Sequence, residues 1–273
     1  MNTRWLLVIF SVLLTACSGS PSKPDELTEQ EYYQQARESL DNNSFVIAAE
    51  RLNQLESRYP FGRYAEQAQL ELIYVYYMMS DMENVLANAE RFIRLHPQHE
   101  QVDYAYYMRG LATYEMSYTF AERYMDTPFA ERDPTPMRDA FDHFSELLQR
   151  FPDSPYTADA RARMVYLRDR MASHEISVAR YYMKRHAYMA AANRCTGVLL
   201  NYQKTPSVAD ALAIQVEAYQ LLGLNPEADQ ALALLQLNYP DHPQLQDGQF
   251  TDSGLAMVDR RSFWNIISFG LLD

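Results

Sequence analysis

Five places in this chain stop a helix in the same way. Tyr59-Pro60, His96-Pro97, Phe151-Pro152, Asn201-Tyr202 and Tyr239-Pro240 each follow a stretch whose apolar residues recur at helical spacing. Proline cannot continue a helix and disfavours the α conformation in the residue before it. Pro60 and Pro97 are 37 residues apart, as are Tyr202 and Tyr239, whereas Pro97 to Pro152 is 55 and Phe151 to Tyr202 is 51. The two middle units therefore require extended helices or inserts. In the first unit, residues 27–62, the pattern predicts two amphipathic helices: Tyr32, Tyr33, Ala36 and Leu40 mark one, and Phe45, Ala48, Ala49, Leu52 and Leu55 the other. Asn42-Asn43 supplies turn chemistry between them and Ser44 is the expected N-cap. One such hairpin cannot bury its apolar faces alone, so its neighbours must cover them.

With each terminal Pro as origin, and Gln203 standing in for the missing one, three columns align. Twelve residues back lie Ala48, Val85, Ala140, Ala191 and Ala228; eight back, Leu52, Ala89, Phe144, Cys195 and Leu232; five back, Leu55, Phe92, Leu147, Val198 and Leu235. Ser39, Tyr76, Tyr182 and Tyr219 are placed near the middle of the first helix of their units. This resembles the tetratricopeptide pattern of aromatic, small, apolar and small positions closed by a Pro, with a period near 34 residues. The fold expected is all-α, a superhelical solenoid of about five tetratricopeptide-like helix pairs, a quasi-one-dimensional architecture that needs no separate cores.

The formal charge of −12 argues against nucleic acid as a partner, because such binding wants a basic footprint, and equally against attraction to anionic lipid. Membrane attachment has another source. Arg4 precedes an apolar run, Leu6–Leu14, too short to span a bilayer, and Leu14-Thr15-Ala16-Cys17 resembles the bacterial lipobox. Residues 1–16 are then a lipoprotein signal peptide, and Cys17 carries an S-diacylglycerol and an N-acyl chain. The competing reading is an ordinary secretory signal with an incidental Cys. Ser18 after the Cys looks like an outer-membrane address, and residues 17–26, rich in Ser and Pro, read as a lipidated tether. Cys195, on an apolar column, is expected to be a buried, inert thiol.

Catalytic signatures are lacking in the sequence. His96 and His99 are separated by a helix-breaking Pro97, and the other histidines are scattered, so neither a metal nor another cofactor is expected beyond the lipid. Phosphate-binding Gly loops and nucleophile elbows are absent, and the carboxylate runs read as solvated faces. A non-enzymatic role follows.

The blocks Arg58-Tyr59-Pro60-Phe61-Gly62 and Tyr107-Met108-Arg109-Gly110-Leu111, with Ser154-Pro155-Tyr156, Glu175–Arg185 and Ala191-Ala192-Asn193-Arg194, are more specific than a generic repeat. Here the chain resembles the BamD (ComL-related) family of outer-membrane assembly lipoproteins. The resemblance implies a non-catalytic scaffold of the outer-membrane β-barrel assembly machine, held on the periplasmic face by its lipid. Residues 27–152 (repeats 1–3) would form a pocket for unfolded outer-membrane proteins. Residues 153–240 (repeats 4–5) would dock the POTRA-bearing barrel subunit, and accessory assembly lipoproteins would bind outside. If first helices line the groove, register puts Tyr33, Arg37, Tyr74, Tyr77, Tyr104 and Tyr107 on or near it. Arg37 or Arg63 could pair with a client's terminal carboxylate. Tyr32 and Tyr76 read as interhelix packing. In the docking half, Arg180, Lys184, Arg185, Asn193 and Arg194 form a basic patch. Arg194 either bridges to an acidic POTRA loop or pairs within the chain, for example with Asp210 or Glu217.

Two stretches depart from the family. Tyr114–Asp133 mixes aromatic and charged residues, ending in Asp133 and Pro134 as N-cap and first turn of the next helix. The tail, 241–273, reads as a polar linker around Asp247–Ser253 and then an apolar segment, Arg260–Leu272, that folds back over the last hairpin or meets a partner or membrane surface. The rival function is a periplasmic tetratricopeptide lipoprotein coordinating peptidoglycan synthesis or envelope constriction.

Overall fold

The computed structural model describes residues 27–117, 134–246 and 249–257. The signal peptide, Cys17, the tether, most of the 114–133 stretch and the apolar 260–272 segment lie outside these. Ten α-helices are found among the described residues: α1 (Glu29–Asp41), α2 (Phe45–Arg58), α3 (Ala65–Met78), α4 (Met82–Leu95), α5 (Val102–Met116), α6 (Thr135–Arg150), α7 (Thr157–Lys184), α8 (Tyr188–Asn201), α9 (Ser207–Leu222) and α10 (Asn225–Asn238). The chain is thus an all-α array of consecutive helix pairs. It divides into two compact units, one ending at Met79 and one beginning at Ser80.

Each of the five marks is a helix C-cap with the same backbone. Tyr59, His96, Phe151, Tyr202 and Tyr239 have φ between −127° and −138°, and each donates its N–H to the carbonyl four residues back. Those acceptors, Leu55, Phe92, Leu147, Val198 and Leu235, form the innermost column and are fully buried. The chain then turns in two further steps, as in Gly62 N to Tyr59 O and Ala65 N to Gly62 O, and the same pair of bonds recurs at all five marks. The other two columns are also buried, except Leu232, which is only half-buried on α10, the last α-helix among the described residues.

The four turns inside helix pairs that fall among the described residues are equally regular. Asn43, Ser80, His186 and Gly223 all take positive φ, from 56° to 74°, one residue before an N-cap. The bonds Ser44 N to Ser39 O, Ala187 N to Tyr182 O and Leu224 N to Tyr219 O close Schellman-type caps. This corrects the expected location of Ser39, Tyr182 and Tyr219: they stand near the C-terminal ends of α1, α7 and α9, where their carbonyls accept the capping bond, and Tyr76 is likewise in the last turn of α3. Ser44 does occupy an N-cap position, but without a side-chain cap bond, since the Schellman turn organises that corner. Thr28 makes the capping box that the sequence reading missed, exchanging bonds with Glu31, which holds the Glu31 carboxyl below its ordinary range.

In the first unit α1 packs on α2 and α2 on α3, around Tyr32, Ala36, Ala48, Leu52, Leu55, Ala68, Leu72 and Val75. Tyr32 is buried and Tyr76 accepts a hydrogen bond from Asn53, as packing residues. Gly62 leaves room for the Glu29 carboxylate, which occupies the space a Cβ would take and accepts the Tyr64 N–H at 2.6 Å. Phe61, the preceding residue, is 99% exposed.

In the second unit each helix from α4 to α10 packs on the next, and α7 also reaches α9. The extra length of the fourth repeat is α7 itself, 28 residues and about 42 Å long. In the third, α5 continues through Tyr114 and Glu115 to Met116, so these belong to the helix rather than an insert. Pro134 stands at the N-cap position of α6 rather than in its first turn. Gly110 lets α5 meet α6 closely: an added Cβ would lie 2.7 Å from Cδ1 and Cε1 of the fully buried Phe144. Arg109 ties the same helices, reaching Glu146 at 2.6 Å with its guanidinium over the Tyr106 ring.

The segment read as a polar linker begins as a β-hairpin. Leu245–Gln246 pairs antiparallel with Gln249–Phe250, and Leu245 and Phe250 pack on Val208, Leu212, Ala213 and Leu235. Ser253 N–H then donates to Glu217, which is 3% exposed, and the 3₁₀ turn Leu255–Met257 packs against α7. The described part of the tail therefore folds back over α9 and caps the last pair, as terminal repeats require.

Candidate interaction surfaces

Tyr33 on α1 stacks on Tyr64, the residue before α3, with ring centroids 4.5 Å apart and 13° between planes. Its hydroxyl donates to Oε1 of Glu71 at 2.8 Å, and Arg37 and Gln67 each reach that same oxygen at 3.2 Å. Burial, then the bond to Glu71, pushes the Tyr33 phenol up to about 12. Glu71 in turn raises the affinity of Arg37 for its proton. Glu71 is 7% exposed, and its other oxygen, Oε2, is buried without a hydrogen-bond partner. Over this cluster lies a shallow pocket of about 620 Å³, lined by Gln30, Tyr33, Gln34, Arg37, Glu38, Asp41, Asn42 and Tyr64. Arg63 stands outside that lining, with its guanidinium 5.8 Å from the Tyr64 ring centroid. Tyr74 and Tyr77 sit further along α3, exposed and half-buried respectively.

The second unit repeats this chemistry. Tyr107 stacks on Tyr156 with centroids 4.7 Å apart, its hydroxyl donates to Asp159 at 2.8 Å, and Arg163 reaches Asp159 at 2.6 Å. Tyr107 is likewise pushed up to about 12, by burial and then by Asp159. Tyr104 lies beside Tyr156 at 5.9 Å. The sequence reading picked Tyr33, Arg37, Tyr104 and Tyr107 but missed Tyr64, Tyr156, Glu71, Asp159 and Arg163. One signal was available, because Tyr64 and Tyr156 both stand four residues after a repeat-ending Pro. The carboxylates offered none: they look like any other helix-surface acid until the helices are packed.

Asn193 and Arg194 are exposed because the turn of α8 puts Ala191, Ala192, Cys195 and Val198 inside. Arg194 does pair within the chain, but with Glu175 of α7 at 3.1 Å rather than with Asp210 or Glu217. Asp210 instead receives Arg180 at 2.9 Å and His242 at 3.3 Å, and Glu217 caps Ser253. Arg138, Glu175, Tyr182, Asn193, Arg194 and Tyr202 line a pocket of about 500 Å³; Arg180, Lys184 and Arg185 do not line it. Arg185 lies over the Tyr181 ring and donates to its hydroxyl. Cys195 is fully buried, and that burial pushes its thiol up to about 12, so it has no thiolate to offer at neutral pH.

Comparison with known proteins gives these surfaces a family. The model of the family described as Outer membrane lipoprotein (YfiO) matches residues 25–235. Outer membrane protein assembly factor BamD of Neisseria meningitidis serogroup A is 42% identical, covering 90% of this chain and 94% of that protein. The protein of the same name from Vibrio cholerae serotype O1 is 41% identical, covering 83% and 94%. A solved tetratricopeptide repeat protein from Parabacteroides merdae is more distant, 13% identical with a TM-score of 0.36, covering 78% of this chain and 68% of that one. A family match over most of the chain, together with relatives at this level of identity and coverage, means that this chain belongs to the BamD (YfiO) family of outer membrane lipoproteins.

Proposed function

We propose that this protein is a non-catalytic scaffold for outer-membrane protein assembly, anchored by lipid on Cys17 to the periplasmic face of the outer membrane. The observation that carries this reading is the likeness, over most of the chain, to proteins named outer membrane protein assembly factor. Its helix pairs supply grooves and exposed aromatic and charged faces, which suit binding rather than chemistry. The Arg194 pocket, with Arg138, Glu175 and Tyr182 around it, is the surface assigned to an acidic loop of the POTRA-bearing barrel subunit. The Tyr33–Tyr64 pocket of the first unit is assigned to segments of unfolded outer-membrane proteins, since tyrosine walls offer amphipathic contact at low entropic cost. Accessory assembly lipoproteins bind elsewhere on the repeats.

The test is affinity purification of the tagged, lipidated protein from detergent-solubilised outer membranes. The barrel-forming, POTRA-bearing subunit is expected in near-stoichiometric amount. Recovery of peptidoglycan synthases or division proteins in its place would replace this reading with that of an envelope-constriction scaffold.

A further inference from the structure

The arginine in the first-unit pocket already holds a carboxylate. Arg37 and the Tyr33 hydroxyl both converge on Oε1 of Glu71, and Asp41 adds a second carboxylate to the field of the guanidinium. Of the side chains lining the pocket, Arg37 is the sole cation, against Glu38 and Asp41, with Glu71 directly behind it. Beneath Tyr64, Glu29 adds a further carboxylate at the backbone N–H. Glu71 moreover keeps one oxygen buried and unbonded, so the protein supplies fewer donors to its carboxylates than they can accept. Counting Arg63 on the Tyr64 ring, the groups around the pocket are two cations, Arg37 and Arg63, against four carboxylates, Glu29, Glu38, Asp41 and Glu71, so a client carboxylate would add to the charge in excess.

From this we infer that the pocket selects donors: it takes an aromatic side chain against the Tyr33–Tyr64 pair from a segment whose flanking residues are Lys or Arg, and it does not read a chain's terminal carboxylate. This rests on the proposal that the pocket receives client segments and specifies their chemistry. The aromatic slot supplies sequence-tolerant stacking. The acidic rim, Glu38 and Asp41, both exposed, supplies the charge preference. Arg37 acts as a positioning residue that holds Glu71 and Tyr33 in place. The reversed assignment, Arg37 as receptor for a carboxylate, would make one guanidinium serve two carboxylates, since its half-exposed N–H groups would meet the client while Nη1 stays on the buried Glu71, in the field of Glu38 and Asp41.

The experiment is fluorescence anisotropy with the full-length chain in detergent and four ten-residue peptides of one alternating aromatic sequence, each carrying fluorescein at its N-terminus. One ends in a free carboxylate, one in an amide, one is the amide with Lys flanking the central aromatic, and one the amide with Glu there. The amide should bind at least as tightly as the acid, and the Lys peptide about five-fold tighter than the Glu peptide. That preference should shrink as salt rises, and should vanish in the Glu38→Gln/Asp41→Asn variant, whose changes lie on the exposed rim and leave the core intact. A free acid five-fold tighter than the amide, with the advantage lost in Arg37→Gln or Arg63→Gln, would overturn the inference while leaving the client pocket standing. Equal affinities for all four peptides, or a Lys preference that survives the rim variant, would also overturn it. If no peptide binds, the assignment of clients to this pocket falls as well.

Discussion

Gly110 offers the sharpest test of how the α5–α6 contact is built. Replacing it by Ala should help the helix by about 1 kcal/mol, since Gly is the poorest ordinary residue in a helix interior. Against that, the new Cβ would sit 2.7 Å from two carbons of the Phe144 ring, where carbon pairs prefer about 3.5–4.0 Å. Phe144 is fully buried, with Tyr107 and Tyr114 rings at 6.3 and 6.4 Å, so it cannot swing away and the helices themselves must part. Overpacking of this kind costs about 1–3 kcal/mol, and two simultaneous close contacts place it in the upper half of that range. Gly110→Ala should therefore destabilise by about 1–2 kcal/mol net, a fall in Tm of roughly 2–8 °C for a chain of this size. Urea and thermal unfolding followed by circular dichroism would measure it. In a Phe144→Leu background the same change should turn neutral or stabilising, a coupling of at least about 1 kcal/mol. A raised Tm in the single variant, or simple additivity in the double, would refute the reasoning. The contact also bears on the binding face, because Tyr107 is carried by α5 between Phe144 and Tyr156.

Three further outcomes are expected. Arg194→Glu should preserve helicity and weaken recovery of the barrel subunit, and adding Glu175→Arg should restore the internal ion pair without restoring the partner; full rescue by the swap would mean that Arg194 serves only its α7 neighbour. Because Tyr33 and Tyr107 hold their protons more tightly folded (about 12) than a free phenol near 10, the stability they contribute is complete below pH 10 and is lost as pH rises toward 12. The Tyr33→Phe/Tyr107→Phe double variant should lose less stability across that window, as read by unfolding midpoints at pH 9 and 11; an identical loss in both proteins would contradict it. Cys195 should resist thiol reagents at pH 8 in the native protein and react fully in denaturant, whereas rapid native labelling would place it at the surface.

The periodic part of this molecule could be read in advance. The spacing of apolar residues and five helix-ending marks pointed to the helix pairs and to the buried columns of their second helices, because a helix buries a stripe set by its own 3.6-residue period and Pro forbids its continuation, while most of the buried residues on α3, α5, α7 and α9 were not singled out. The same reasoning placed Tyr33, Arg37, Tyr104 and Tyr107 on first helices. It misplaced Ser39, Tyr182 and Tyr219, because a Schellman turn is defined by a carbonyl and a positive φ, neither of which has a side-chain signature at the acceptor. The β-hairpin at 245–250 went unread for a similar reason: strands of two residues carry no period. Charge partners were beyond the sequence altogether. Glu71 lies 34 residues from Arg37, Asp159 lies 52 from Tyr107, and Glu175 lies 19 from Arg194. Only the packing of one helix on another decides which of many acids a given cation meets. Local pattern thus marked the buried columns of the second helices, while tertiary structure decided the rest of the core, which charges are already satisfied and which stay open to a partner, because a column repeats along one helix and ion pairing depends on two.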